Sequence, residues 1–363
     1  MSTLLARAWR GVVAVGVFAA LAGGASAQDK KPETGNQDEI RALLTLTDEA
    51  ASGKATNSLA IKWEQSHFIK SFGDKTYVPF TVSLDAAAFT APTPVGLYLR
   101  VAKRGELPPT AVAAASKDPD KKKKGKKDET KGAGSQVDAR HEYPFEDVFF
   151  IDIPAAVAGQ PQLLRRAFSV SPGDYDVYVA VKEKPVAGAT ASPKVGVLKH
   201  ELTVPSLDGD FTTSTVIIAA KIDVLQTELA PERQAENPYT FSTIKISPSL
   251  DNKFKKTDEF NIMFWIYGAA ADASKKPNIE VEYAFHQKTA DGEKFFNKTD
   301  PQIMNAETLP PQFDLAAGHQ LTGSLAVPLA SFPPGDYRLE VKITDKLGNK
   351  SVTREATFSV AAQ

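Results

Sequence analysis

The stretch that decides the fold occurs twice in this chain, as SPGDYDVYV (171–179) and again as PPGDYRLEV (333–341). In each copy a Pro-Gly turn leads into an alternating strand that begins with a tyrosine. A tyrosine in this position is typical of a tyrosine corner, in which the hydroxyl bonds back to nearby backbone in a β-sandwich. The sequence therefore predicts structural tyrosine corners at Tyr175 and Tyr337. The alternative, an ordinary strand residue after a turn, is equally structural.

Segments upstream of the two turns also correspond. YVPFTV (77–82) parallels FNIMFW (260–265), and alternating strands begin at Val95 and at Ile279. These upstream pairs are offset by 183 and 184 residues, whereas the Pro-Gly turns are offset by 162. The first copy therefore holds about 21 residues without a counterpart, and the charged stretch 116–136 has that length and lies in that place. Two diverged copies of one all-β unit explain both offsets.

Short strands with period-two alternation, separated by Pro and Gly, predict an all-β fold. We expect two tandem immunoglobulin- or fibronectin type III-like β-sandwich domains. The first should span 56–207 and the second 208–363, with the boundary near the sequence LDGD (207–210). The preceding segment, 28–55, should be partly disordered or a short helix, because a weak helical pattern covers 38–49.

The first 27 residues read as a signal peptide. Two arginines precede an apolar run of about 11 residues, which is followed by small residues that fit cleavage between Ala27 and Gln28. The run is shorter than the ~20 residues that a membrane-spanning helix needs. An uncleaved membrane anchor is the alternative. The sequence predicts an exported protein, periplasmic or extracellular, that does not span the membrane.

Charge and cysteine content exclude several functional classes. The chain has 43 Lys and Arg against 44 Asp and Glu, whereas a nucleic-acid-binding domain is usually strongly basic. Without cysteine there is no disulfide framework, thiol nucleophile or thiolate metal site. Loss of the leader removes two arginines and no acid, which changes the net charge from −1 to −3.

The Lys-rich insertion, 116–136, is the pronounced charge feature of the chain. It holds eight lysines and four acids and no aromatic or branched apolar residue, so we expect a disordered loop. A plain solvated extension is one interpretation. Weak attraction to anionic envelope polymers or phospholipid head groups is the other.

The second copy resembles a known group of proteins. The segments STVIIA (214–219) and LASFPPGDYRLEV (329–341) are similar to C-terminal immunoglobulin-like modules of secreted acidobacterial proteins, which are largely uncharacterised. Some relatives carry von Willebrand A or GWxTD domains, and neither signature occurs in this sequence. The resemblance covers about the last 150 residues well and the first copy loosely. It implies fold and export, not an activity.

Motifs that carry chemistry are missing from the sequence. The five histidines are dispersed and show no H-x-x-x-H or H-E-x-x-H spacing, and no G-x-S-x-G or phosphate-binding glycine motif occurs. Asp208 and Asp210 could offer oxygens to Ca²⁺, but two acids form a plain turn more readily than a site that needs six to eight oxygens. We therefore expect a non-enzymatic protein without cofactor or metal.

One strand, FNIMFWIY (260–267), is apolar on both faces. Ile262, Phe264 and Ile266 can face a core, so the opposite face needs a cover; its residues are Met263, Trp265 and Tyr267. The cover is either another part of this chain or a partner. The leading hypothesis is an envelope interaction or structural role with an envelope protein or polysaccharide. The alternative is a carbohydrate- or small-ligand-binding module that uses this aromatic face.

Overall fold

The structure is a computed structural model that describes residues 34–54, 57–108, 142–185 and 192–362. The predicted signal peptide (1–27), its cleavage point between Ala27 and Gln28, and the Lys-rich insertion (116–136) lie outside the described residues. The all-β prediction is confirmed, because the described residues form two tandem β-sandwiches with one α-helix packed on the first.

The first sandwich consists of two four-stranded sheets. One has β3 between β6 on one side and β1 and β2 on the other, and the second has the order β5-β4-β7-β8. Its strands are β1 Ile61–Ser66, β2 Ile69–Lys70, β3 Thr76–Leu84, β4 Thr93–Lys103, β5 Phe145–Ile153, β6 Gln162–Val170, β7 Gly173–Glu183 and β8 Val195–Val204.

The second sandwich repeats this order with additions. One sheet has the order β11-β12-β10-β14-β18, with β9 also on β14, and the other has the order β13-β20-β19-β15-β16, with β17 also on β15. Its strands are β9 Thr212–Thr213, β10 Ile217–Val224, β11 Thr240–Phe241, β12 Ile244–Pro248, β13 Lys253–Phe254, β14 Glu259–Tyr267, β15 Ile279–Thr289, β16 Gly292–Lys298, β17 Gln302–Met304, β18 Leu321–Pro328, β19 Gly335–Asp345 and β20 Lys350–Val360.

The two copies predicted from the sequence match strand by strand. β3 and β14 occupy equivalent central positions, and so do the pairs β4 and β15, and β7 and β19. The second copy has one addition that the offsets do not reveal. Residues 225–258, between β10 and β14, hold β11, β12, β13 and a 3-10 helix, Pro231–Glu236. The addition lies upstream of all the compared segments of the second copy, so it lengthens every offset equally and leaves the differences between the offsets unchanged.

Each sandwich encloses an apolar core formed by alternate residues of its central strands. In the first, Val78, Phe80 and Val82 of β3 are buried against the facing sheet. In the second, Phe260, Ile262, Phe264 and Ile266 of β14 fill the same place. The face of β14 predicted to point into the core therefore does so.

Helix α1, Thr34–Ala51, includes the predicted helical stretch 38–49 and lies on the outer face of the sheet β5-β4-β7-β8. Its Leu43 is fully buried against Tyr98 and Tyr178. Gly96 makes this approach possible, because a Cβ at that position would lie 2.9 Å from the Leu43 side chain. Ion pairs of Asp48 with Arg100 (2.6 Å) and of Glu39 with Lys182 (2.5 Å) hold the two ends of the helix.

The equivalent outer face of the second sandwich has no helix on it in the described part of the chain. It carries charged pairs across neighbouring strands instead, among them Lys342 with Glu282 at 3.1 Å. Arg338 contacts three glutamates on the same face, Glu293, Glu340 and Glu355. Such a face is stable in water, whereas the tyrosine-rich face of the first sandwich requires the helix.

The predicted tyrosine corners are present in both sandwiches. The Tyr175 hydroxyl donates to the Ser171 carbonyl at 2.7 Å, and the Tyr337 hydroxyl donates to the Pro333 carbonyl at 2.6 Å. The glycine two residues before each tyrosine has a positive φ, 155° in the first copy and 146° in the second, which other residues rarely adopt. The repeated Pro-Gly-Asp-Tyr sequence is thus explained by one turn geometry used twice.

We expect Tyr337→Phe to lower the free energy of unfolding by about 1 kcal/mol, because it removes one hydrogen bond from a shielded carbonyl and keeps the ring. Urea denaturation measures this change. Ser171→Ala, at the acceptor position of the first corner, keeps the backbone carbonyl and should change stability by less than about 0.5 kcal/mol. Equal effects of the two substitutions would contradict a specific role for the tyrosine hydroxyl.

Candidate functional site: the joint between the sandwiches

The face of β14 that carries Met263, Trp265 and Tyr267 is covered by this chain itself. Trp265 is 3% exposed and Met263 6% exposed, and Tyr267 is half-buried beside them. The cover comes from both domains: Ile69 and Tyr77 lie on the outer face of the first sandwich, and Tyr239 and Phe241 belong to the added segment of the second. We call this cluster the joint.

This placement corrects one of the two expectations for the face. Met263, Trp265 and Tyr267 do not form an open partner or ligand surface, since they pack between the domains. The Phe241 ring lies 4.6 Å from the Trp265 ring in an edge-on arrangement, which removes the flat platform that a sugar would stack on. Of the two covers considered, the intramolecular one is present.

The centre of the joint is the Tyr239 hydroxyl. It donates to the carbonyl of Pro79 at 3.1 Å and lies 2.9 Å from Nδ1 of His67. A hydroxyl has one proton to donate, so the His67 Nδ1 must carry a hydrogen and donate to Tyr239. A second tyrosine donates from the first domain to the second: the Tyr77 hydroxyl bonds to the carbonyl of Pro238 at 2.9 Å.

Backbone groups near the entry of the second domain add further bonds across the joint. The Phe68 amide donates to Thr215 Oγ1 at 2.9 Å, and the Thr215 amide donates to the Phe68 carbonyl at 3.0 Å. The Lys70 amide donates to the Tyr267 hydroxyl at 3.1 Å. Because apolar contact and directed bonds act together, the two sandwiches are held in one orientation.

His67 is the titratable group at the centre of this contact. It is 6% exposed, and burial lowers the pKa of its imidazole to about 4. The folded protein therefore keeps His67 neutral at pH values where an unfolded chain, with an ordinary histidine pKa near 6.5, takes up a proton.

The Asp208-Gly209-Asp210 stretch forms an exposed turn between the domains, and Gly209 has a φ of 86°. Asp208 pairs with Lys70 at 2.6 Å, so a lysine already lies at the carboxylate that was considered for Ca²⁺. Across the described ranges, no cluster of three or more histidine, cysteine, aspartate or glutamate side chains is placed to hold a metal ion.

A cleft of about 290 Å³ opens beside the joint. The first sandwich and the linker contribute Phe68 and the segment 205–207 to the lining of this cleft. The second sandwich contributes Thr212, Val216 and Arg354. Sequence reasoning missed both this cleft and the joint residues His67 and Tyr239. A signal existed for the joint alone, because the double-faced apolar strand β14 required a cover.

No family model matches this chain, and no curated protein sequence does. Three solved structures of Escherichia coli α2-macroglobulin match 84% of this chain: the trypsin-activated form with 10% identity and a TM-score of 0.21, the elastase-activated form with 10% and 0.22, and the native form with 11% and 0.20. The matched part is 17%, 23% and 16% of those chains, respectively. Values this low support no functional argument.

We expect Tyr239→Phe to destabilise the joint by about 1–3 kcal/mol, because it leaves buried His67 Nδ1 without its partner. The matched control is Tyr283→Phe, which removes a hydroxyl bonded to Gln302 (2.9 Å) inside the second sandwich. Spin labels on the two domains report their distance by pulsed electron resonance. The distance distribution should broaden with Tyr239→Phe and stay narrow with Tyr283→Phe; the same distribution in both would argue against the joint.

The pH dependence of the free energy of unfolding should reflect the protonation of His67. Because its pKa is lowered on folding, the unfolded chain binds more protons between pH 6.5 and about 4, and the free energy of unfolding falls as the pH falls through that window. The loss should reach about 3 kcal/mol. Denaturation at a series of pH values measures it. His67→Gln should reduce the slope of the profile in that window, and the part that remains belongs to other groups, among them His200, whose pKa is also lowered by burial.

Proposed function

We propose that this chain is an exported, non-enzymatic protein with a structural or interaction role in the cell envelope, and that its two sandwiches act as one rigid unit. The joint carries this proposal. Trp265 and Met263 are buried between the domains, and tyrosines from both sides bond across the contact.

A fixed orientation is what a scaffold or adaptor needs. Domains connected by a flexible linker lose orientational freedom each time they bind two sites at once, and a rigid pair has lost it already. The buried aromatic cluster and the bonds of Phe68, Thr215 and Lys70 supply that rigidity. The outer faces of the two sandwiches are then presented at a constant spacing to an envelope protein or polysaccharide.

Export is part of the proposal and rests on the leader-like residues 1–27. No helix among the described residues is long and apolar enough to cross a membrane. A protein without cysteine gains no disulfide outside the cytoplasm, so its two cores and the joint must provide the stability.

The alternative function, binding of a carbohydrate or small ligand, divides into two cases. The aromatic face that would stack a sugar lies inside the joint, with Trp265 3% exposed. A small ligand has a candidate place in the cleft beside the joint. The structure therefore favours the small-ligand form of this alternative over the carbohydrate form.

The proposal predicts that the chain, expressed in its own host, is recovered in envelope fractions with Gln28 as its first residue. Chemical crosslinking of intact cells should yield a discrete, reproducible complex. Tyr239→Phe should reduce its yield severalfold, since a loosened joint no longer holds both faces in register, whereas Tyr283→Phe should not. Mass spectrometry of the fractions and of the crosslinked species gives both readouts.

Three results would contradict this function. One is a chain that stays in the cytoplasm with its leader attached. Another is the absence of any saturable crosslinked species, and the third is substrate turnover in a broad hydrolase screen. None of these results would contradict the contact between the two domains, because the spin-label distances test that contact separately.

A further inference from the structure

The cleft beside the joint contains a cation that pairs with no acid among the described residues. Arg354 of β20 alternates with the core residues Ala356 and Phe358, so it points between the two sheets of the second sandwich. Its Nε donates to Thr213 Oγ1 at 2.9 Å, its Nη2 to Thr212 Oγ1 at 3.0 Å and its Nη1 to the Thr353 carbonyl at 3.2 Å. All three acceptors are neutral.

The shielded arginines of the described residues are not all compensated in the same way: Arg166, which is 5% exposed, also forms no ion pair with a described carboxylate, whereas two others do. Arg100 pairs with Asp48 at 2.6 Å, and Arg338 pairs with three glutamates. Arg354 pairs with none of the described carboxylates, and burial lowers the pKa of its guanidinium. A partly desolvated charge with neutral partners alone is unfavourable, and an anion that enters the cleft would compensate it.

The guanidinium still has the means to bind such an anion. It carries five N–H donors, of which three are used by Thr212, Thr213 and Thr353. One N–H remains on each of the two terminal nitrogens. Two neighbouring donors of this kind match the two oxygens of a carboxylate.

We propose that this cleft binds a small monocarboxylate, whose carboxylate group pairs with Arg354 and whose apolar body lies against Phe68 and Val216. The lining has both components that such a ligand needs, because apolar residues and residues with hydroxyl groups both contribute to it. The volume of about 290 Å³ lies at the lower end of the range of small-molecule sites, so the ligand has only a few carbon atoms.

The charges around the cleft select a single negative charge. Among the described residues of the lining, Arg354 is the one cation and Glu355 the one acid. Glu355 is held by Arg338 at 2.8 Å, outside the Arg354 site. A dianion such as phosphate would have one charge uncompensated, whereas a monocarboxylate is neutralised by Arg354 alone.

The site is built from both domains, since Phe68 belongs to the first sandwich and Arg354 to the second. A ligand there would add contacts across the joint and should raise the stability of the domain pair as its concentration rises. The site does not depend on the envelope role, because its binding is measured on the isolated protein.

The test is a titration of the purified full chain with butyrate, followed by two-dimensional amide NMR. Butyramide, which is neutral and has the same shape, and inorganic phosphate are the comparison ligands. We expect saturable shifts of residues 205–216 with butyrate, and binding at least about tenfold weaker with butyramide and with phosphate. Arg354→Gln should weaken butyrate binding by about tenfold or more, and Arg233→Gln, at an exposed arginine, should not change it.

Because Arg354 also bonds β9, a second variant separates binding from folding. Ser206→Trp places a large side chain at the exposed rim of the cleft and leaves every bond of Arg354 in place, so it should abolish butyrate binding in a folded protein. The proposal is overturned if butyrate shows no saturation, if phosphate or butyramide binds as well as butyrate, or if the folded Ser206→Trp protein binds butyrate like the wild type.

Discussion

The burial of one sheet face between two sandwiches is the constraint on which the rest of this structure depends. β14 is apolar on both sides, so its second face, with Met263 and Trp265, must be kept from water. The first sandwich and the added segment 225–258 do this together. The orientation of the domains, the environment of His67 and the cleft at Arg354 all follow from that single contact.

The two copies of the β unit show how one fold reaches stability in two ways. The outer face around Tyr98 and Tyr178 is covered by helix α1, and Gly96 leaves room for Leu43. The equivalent outer face of the second copy carries ion pairs around Arg338 instead and can face water. The helix therefore belongs to one domain because only that domain presents an apolar outer face there.

Much of the fold was predictable because local patterns repeat. Alternation identified the strands, and the Pro-Gly-Asp-Tyr turns gave the tyrosine corners at Tyr175 and Tyr337 their positions. For the candidate site, the sequence predicted only that the apolar face of β14 that carries Trp265 must be shielded from water. Its occupants, Tyr239 and Tyr77, come from segments about 160 residues apart, and no local pattern in either one points to the other.

The sequence by itself determined the class of fold, the duplication and the inward and outward faces of the central strands, because these depend on residue spacing along one strand. Only the tertiary structure decided what covers Met263, Trp265 and Tyr267, why His67 stays neutral, and that Arg354 bonds to neutral acceptors and to none of the described carboxylates. Those properties depend on desolvation and on neighbours from distant segments, which exist only once both sandwiches have folded and docked.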